Sequence, residues 1–318
     1  MKYFISKATL ILSSVLLLAS QANAASPITL VVPFSTGASN DSIARVIAPL
    51  LSDKLKRPVI VENRAGAAGV IGSNYVAKAP NDGSTLLLTS STFVTTAATQ
   101  PSLPYDPIKS FTPVAMIGQG PLVIAVPAQK PYASLSDVMN KARMSPGAVN
   151  YGSSGIGSLA HLATTLMEDS ADVKMTHVPY KGAANAAADL AGERLDIMLA
   201  NYSSLAPLLP TGKVKLLATT APGVHPAFPD LPPASQTLPG YDVDIWVGIF
   251  APAGTSPEFI ETLNEALNEI SQSKQLARLL EMDGTVPSAM SSEEFAQRVS
   301  GDLERWKKLA DQHQIQAN

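Results

Sequence analysis

The stretch Val31-Val32-Pro33-Phe34-Ser35-Thr36-Gly37-Ala38-Ser39-Asn40-Asp41 decides how the chain is read. A hydrophobic run ends at a proline, passes through small and hydroxyl residues, and restarts as a segment rich in Ala, Ile and Leu. Strand, turn and helix in that order are the repeating unit of an α/β fold. Ile43, Val46, Ile47, Leu50 and Leu51 fall on one face of a helix over Ser39–Leu55, with Ser39 as its N-cap. The turn has two readings. It is a short connection, or it is a cradle of backbone N–H groups and hydroxyls aimed at an anion, since a helix N-terminus carries unpaired donors and partial positive charge.

The same alternation continues outward. Ile28–Val32, Val59–Glu62, Leu86–Thr89, Val114–Ile117, Val123–Val126, Val149–Tyr151, Met175–Val178, Asp196–Leu199, Val214–Ala218 and Ile245–Phe250 read as strands. Several lack polar alternation, as parallel strands covered on both faces do. Helical signals fill Ser134–Met144, Ser158–Glu168 and Pro257–Ile270, and a Ser-Ser-Glu-Glu cap opens a last amphipathic helix at Ser291. Two connections carry no helix: Gly118–Pro121, and the Pro-rich run Pro222–Pro239 that leads to Ile245–Phe250. They predict a chain that crosses into a second domain and returns. Residues 25–120 and 245–318 then form a discontinuous first domain, and 121–244 the second. The competing topology is one continuous sheet with a long loop.

Residues 1–24 read as a secretory signal peptide. Lys2 and Lys7 precede the apolar run Ala8–Ala19, which is too short to span a membrane, and Ala22-Asn23-Ala24 places cleavage after Ala24. The mature protein is expected outside the cytoplasm. Loss of the two lysines moves the formal charge from −3 to −5, which gives no support for nucleic acid as a partner. With no cysteine, the mature chain of roughly 290 residues must be held by its core alone, which its length allows. At 46% hydrophobic and 15% charged residues, disorder is excluded.

A second loop repeats the pattern of the first. In Asn150-Tyr151-Gly152-Ser153-Ser154-Gly155-Ile156-Gly157-Ser158-Leu159-Ala160-His161 a strand again ends in glycines and hydroxyls before a helix. Its Gly155-x-Gly157-x-x-Ala160 is a loose dinucleotide fingerprint, set aside because the loop is too long and an exported protein seldom meets NAD. Ser154 lacks the Gly-x-Ser-x-Gly elbow. The four histidines show no metal spacing, and there is no thiol, so neither a catalytic set nor a metal or cofactor site is expected. His177–Gly182 and Ala200–Ser203 follow two further strand ends. Four polar clusters past strand ends point to a small-molecule site between two domains.

These motifs, taken in order, resemble a known family. Pro33-Phe34-x-x-Gly37-x-x-x-Asp41, Glu62-Asn63-Arg64-x-Gly66-Ala67-x-Gly69, Asp82-Gly83-x-Thr85-Leu86, the 152–161 loop, Val178–Gly182 and Pro252-Ala253-Gly254-Thr255 look like those of the Bug (TctC-like) solute receptors of tripartite tricarboxylate transporters. The likeness spans essentially the whole mature chain. It implies an α/β, two-domain periplasmic binding protein of the Venus-flytrap type, with two crossing strands. By the resemblance, Phe34, Ser35, Thr36, Gly37 and Ser39 form one wall, with Ser90, Ser91 and Thr92 beside it. Ser153, Ser154, Ser158 and His161 form the other, with Asn201 and Tyr202 nearby. Asp41 is read as a first-turn helix residue rather than a contact, since a carboxylate would repel an anion. The resemblance implies a monomer that binds a di- or tricarboxylate, or an aromatic acid, and serves integral-membrane transporter subunits, without cofactor or metal. Two departures bear on the ligand: Ser35-Thr36-Gly37-Ala38 stands where the family often has Pro-Gly-Gly, and no acidic or aromatic residue lies at Ala200. An exported hydrolase or lyase using the same cleft, and a ligand-sensing co-receptor, are the alternatives.

Overall fold

The computed structural model describes residues 26–317; the segment read as a signal peptide, with its cleavage after Ala24, lies outside them. The strands are β1 (Ile28–Val32), β2 (Val59–Asn63), β3 (Thr85–Ser90), β4 (Phe111–Pro121), β5 (Val123–Pro127), β6 (Asn150–Ser153), β7 (Thr176–Pro179), β8 (Ile197–Ala200), β9 (Val214–Thr219), β10 (Asp244–Pro252) and β11 (Val286–Pro287). The helices are α1 (Ser39–Leu55), α2 (Val70–Ala77), α3 (Thr92–Thr99), α4 (Leu135–Met144), α5 (Leu159–Ala171), α6 (Ala183–Ala191), α7 (Tyr202–Leu205), α8 (Pro257–Ser271), α9 (Lys274–Glu281) and α10 (Ser292–Gln312).

β1 is a strand because both its faces find apolar cover. Ile28, Leu30 and Val32 pack with Ile43, Ile47 and Leu51 of α1, while Val31 turns to the other side, toward Val70, Val76 and Leu87. These four of its five side chains are fully buried. Two sheets result, with helices interleaved. The first has the order β11-β4-β10-β3-β1-β2 and the second β7-β6-β8-β5-β9. β1 lies parallel between β2 and β3, while β10 and β4 pair antiparallel. In the second sheet β6 is parallel to β7 and β8, and β5 is antiparallel to β8 and β9.

Five helices and one strand were not among the elements read from the sequence: α2, α3, α6, α7, α9 and β11. The α3 segment carries Thr92, Thr95, Thr96 and Thr99, whose β-branching lowers helix propensity. Burial of Phe93 and Val94 and packing against α10 override that preference. The Thr95 and Thr99 hydroxyls return hydrogen bonds to Thr92 O and Thr95 O. Ser39, expected as the N-cap of α1, is its first helical residue. Ala38 is the cap and offers no side-chain acceptor.

β4 reaches further than the sequence indicated, and a single residue, Leu122, separates it from β5. One extended segment thus passes from the first sheet into the second. Gly118 and Gly120 keep β4 bare where the 284–286 segment lies against it; a Cβ on Gly120 would sit 2.5 Å from Gly284 O. The chain returns through 220–243 to β10. Both crossings meet at Thr220, which is fully buried. Its Oγ1 accepts from Leu122 N at 2.8 Å and donates to Val243 O at 2.5 Å. Its backbone N–H donates to Leu122 O, and its carbonyl accepts from Val243 N.

Thr220→Val keeps the shape of the side chain but strands Leu122 N–H and Val243 O without the hydroxyl. The expected loss is about 1–3 kcal/mol of stability, read by equilibrium urea unfolding. Thr220→Ser, which keeps the hydroxyl, should lose clearly less. Equal losses would contradict a role for the hydroxyl.

Candidate functional site

The carboxyl ends of strands from both sheets open on one cavity of about 380 Å³. Its walls mix apolar groups such as Phe34, Leu122 and Met198 with hydroxyls and backbone at helix starts. Ala38, Ser39 and Asn40 bring the first turn of α1, Thr92 the first residue of α3, Ser158 to Ala160 the start of α5, and Ala183 the start of α6. The N–H groups of Ser39, Asn40 and Asp41, and those of Leu159 and Ala160, have no acceptor among the described residues. Each helix start presents such donors with the positive end of the helix dipole. Ser90 Oγ donates to Thr92 Oγ1 at 3.2 Å, which leaves the Thr92 proton free to point elsewhere. Ser154 is exposed within the cavity wall. No lysine or arginine lines the cavity among the described residues, and Asp283 is its one charged side chain.

The loop that enters α1 is held from behind by Asp41. This carboxylate, 2% exposed, accepts from Gly37 N at 2.8 Å, Asn63 Nδ2 at 2.9 Å and Arg45 Nε at 3.0 Å. Burial alone would raise its pKa; hydrogen bonds from Arg45, Gly37 and Asn63, with the Arg45 charge, bring it below the usual carboxylate value. Asp41 is therefore a first-turn residue turned away from the cavity.

Of the residues expected at the site, Phe34, Ser39, Ser90, Thr92, Ser154, Ser158 and Asn201 line the cavity. The others do not. Ser35, Thr36 and Gly37 are exposed outside it, because Gly37 N–H is committed to Asp41 and Ala38 N–H to Ser35 O. Gly37 holds a φ of +85°, which only glycine adopts without strain. Ser91 is buried with its N–H on Trp246 O. Ser153, at the end of β6, and His161 lie behind the 154–158 segment, and Tyr202 packs on Phe228. Sequence reasoning missed Asn40, Thr96, Gln100, Ser204 and Asp283. Asn40 lies inside the opening motif and was legible there; Asp283 adjoins a two-residue strand that gives no periodicity.

The 153–158 loop rests on a stack of rings. His161 and His177 lie 3.8 Å apart between ring centres, 14° from parallel, and Tyr151 lies 4.8 Å from His177. His161 Nδ1 accepts from Gly157 N, and His177 Nε2 lies 2.6 Å from Ser153 Oγ. Ser153 is fully buried and outside the cavity lining, so this serine–histidine pair braces the loop from behind the cavity wall.

A two-sheet α/β protein with such a cleft is a two-lobed binding protein. The family model "Tripartite tricarboxylate transporter family receptor" (TctC) matches residues 43–315, and the chain belongs to that family. Protein BugT of Bordetella pertussis is 33% identical over 285 residues, 89% of this chain and 87% of that protein. An R. palustris protein solved with adipate superposes with a TM-score of 0.79 at 34% identity, over 91% of this chain and 98% of that one. MatC of Rhodopseudomonas palustris, solved with bound malate, gives 0.75 at 31% identity, over 89% and 98%. The family is one of receptors, and the chain is not an enzyme.

Burial pushes the pKa of His161 down to about 4, helped by the charges of His177 and His313, and burial alone takes His177 to about 4. Both rings are neutral in the fold but protonate near 6.5 once unfolded. Stability is therefore lost as pH falls from about 6.5 to about 4, by up to about 1.4 kcal/mol per pH unit per histidine. Unfolding free energies measured from pH 7 to 4 should fall more steeply for the wild type than for His177→Gln. Parallel curves would contradict neutral burial of His177.

Proposed function

We propose that this protein is an extracytoplasmic receptor that captures an organic carboxylate between its two lobes and delivers it to a tripartite transporter. One observation carries the reading: unpaired N–H groups of helix starts from both sheets meet in a cavity that, among the described residues, no side-chain cation lines. Such a site holds an anion through dipoles and hydroxyls. The carboxylates bound by the two R. palustris relatives support the same class of ligand. Family membership supports integral-membrane transporter subunits as the partner. The protein works as a monomer in the periplasm, exported by residues 1–24 and cut after Ala24, and an intact mass that retains residues 1–24 would refute this. No helix among the described residues is long and apolar enough to cross a membrane.

Residues 25–120 with 245–318, and residues 121–244, are the two bodies that close on the ligand. The crossings at Leu122 and between Thr220 and Val243 are the place where they turn.

A thermal-shift screen over organic acids, from hydroxy and amino monocarboxylates to di-, tri- and aromatic carboxylates, should find an acid that raises Tm, since ligand at 100 times its Kd adds about 2.7 kcal/mol. Calorimetry should then show the matching amide binding at least tenfold more weakly, because helix starts favour the charged form. Thr92→Val and Ser154→Ala should each cost about 1–3 kcal/mol of binding. Saturating ligand should also reduce the radius of gyration in solution scattering. An amide that binds as well as its acid would overturn the carboxylate reading, and an unchanged radius would overturn closure.

A further inference from the structure

The one charged side chain lining the cavity among the described residues is placed where a ligand's own carboxylate could otherwise go. Asp283 follows α9, in the body built on the first sheet, and its carboxylate reaches both lobes. Oδ2 accepts from Ser39 Oγ at 2.9 Å, at the start of α1, and Oδ1 accepts from Ser203 N at 3.3 Å, in α7 of the other lobe. It forms no ion pair among the described residues. Asp283 therefore brings a negative charge to the α1 end of the cavity and occupies the Ser39 hydroxyl that was expected to face a ligand. The start of α5 has no such partner: Leu159 and Ala160 N–H are unpaired and Ser154 is open.

The two ends of the cavity thus differ in sign. The α5 end attracts an anion; the Asp283 end repels one. A carboxylate has about four acceptor positions, and two remain on Asp283 after Ser39 and Ser203 are served. They can take hydrogen bonds from a donor on the ligand. Like charges set against each other in a partly dehydrated cleft discriminate strongly, and a cation or hydroxyl at the same place is welcomed.

Resting on the carboxylate reading above, we infer that Asp283 is a specificity determinant: the ligand is a monocarboxylate whose far end carries a hydrogen-bond donor, a hydroxyl or an ammonium, and a second free carboxylate at that end is refused. The carboxylate lies at the start of α5 and the donor faces Asp283.

The test is calorimetry on the wild type and Asp283→Asn with matched acids of four, five and six carbons. Each length is supplied as the α,ω-dicarboxylate, the ω-hydroxy acid and the ω-amino acid. The wild type should favour the hydroxy or amino acid over the dicarboxylate by about tenfold or more at the length that fits, and Asp283→Asn should shrink that ratio by about tenfold or more. The ratio is taken within each variant, so partial misfolding scales both affinities and cancels. A wild type that prefers the dicarboxylate, or a ratio that Asp283→Asn leaves unchanged, overturns the role of Asp283 while the carboxylate site stands. Failure of every acid to bind overturns the carboxylate reading itself, and this inference with it.

Discussion

The buried contact at Thr220 is the constraint on which the rest of the structure depends. Two segments pass between the sheets, and one threonine joins them through both its hydroxyl and its backbone. That junction fixes the carboxyl ends of β1 and β3 opposite those of β6 and β8, so loops that are about 120 residues apart in the chain face one another across one cleft. Because Thr220 ties Leu122 to Val243, the crossing segments are bonded to each other as well as to their sheets. On the two-body reading proposed above, a rotation of one body on the other would be taken up locally, without loss of either core.

The chemistry of the cleft follows from what it lacks as much as from what it holds. A lysine or arginine would attract an anion from far off but would hold it in many poses. Helix starts and hydroxyls act only at hydrogen-bond distance, with fixed directions, and need no long side chain to be ordered. Small residues at Ala38, Ser154 and Ala160 let a ligand approach the backbone. Asp41 shows how carefully charge is sorted: it serves the loop from behind, bonded to Gly37, Asn63 and Arg45, and lies outside the cavity lining. Asp283 stands on the other side of that loop, within the cleft, and gives one end of it the opposite preference.

Much of the fold was legible because the strands are apolar on both faces and end in glycine and hydroxyl turns. β1, β5, β9 and α1 were read nearly to the residue. α3 was missed because four threonines speak against a helix, and burial of Phe93 and Val94 with packing against α10 overrides them. β11 was missed because two residues carry no period. At the site, motif reasoning found the loops but not which of their atoms face inward. Gly37, expected at the site by the resemblance, uses its positive φ to turn its N–H toward Asp41 rather than toward the cavity. Ser153 and His161 belong to the second loop in sequence, yet the ring stack draws them behind it. Asp283 could not have been placed, since its approach depends on the bare surface of Gly118 and Gly120 on β4.

The central claim is that backbone groups at helix starts, rather than a side-chain cation, hold the ligand's carboxylate. A crystal structure of the protein with its tightest acid from the screen tests this most directly. The account predicts carboxylate oxygens within about 3 Å of Leu159 or Ala160 N–H, with Ser154 or Thr92 hydroxyls or bridging waters completing the set. A carboxylate paired with a lysine or arginine, or lying away from the start of α5, would contradict it.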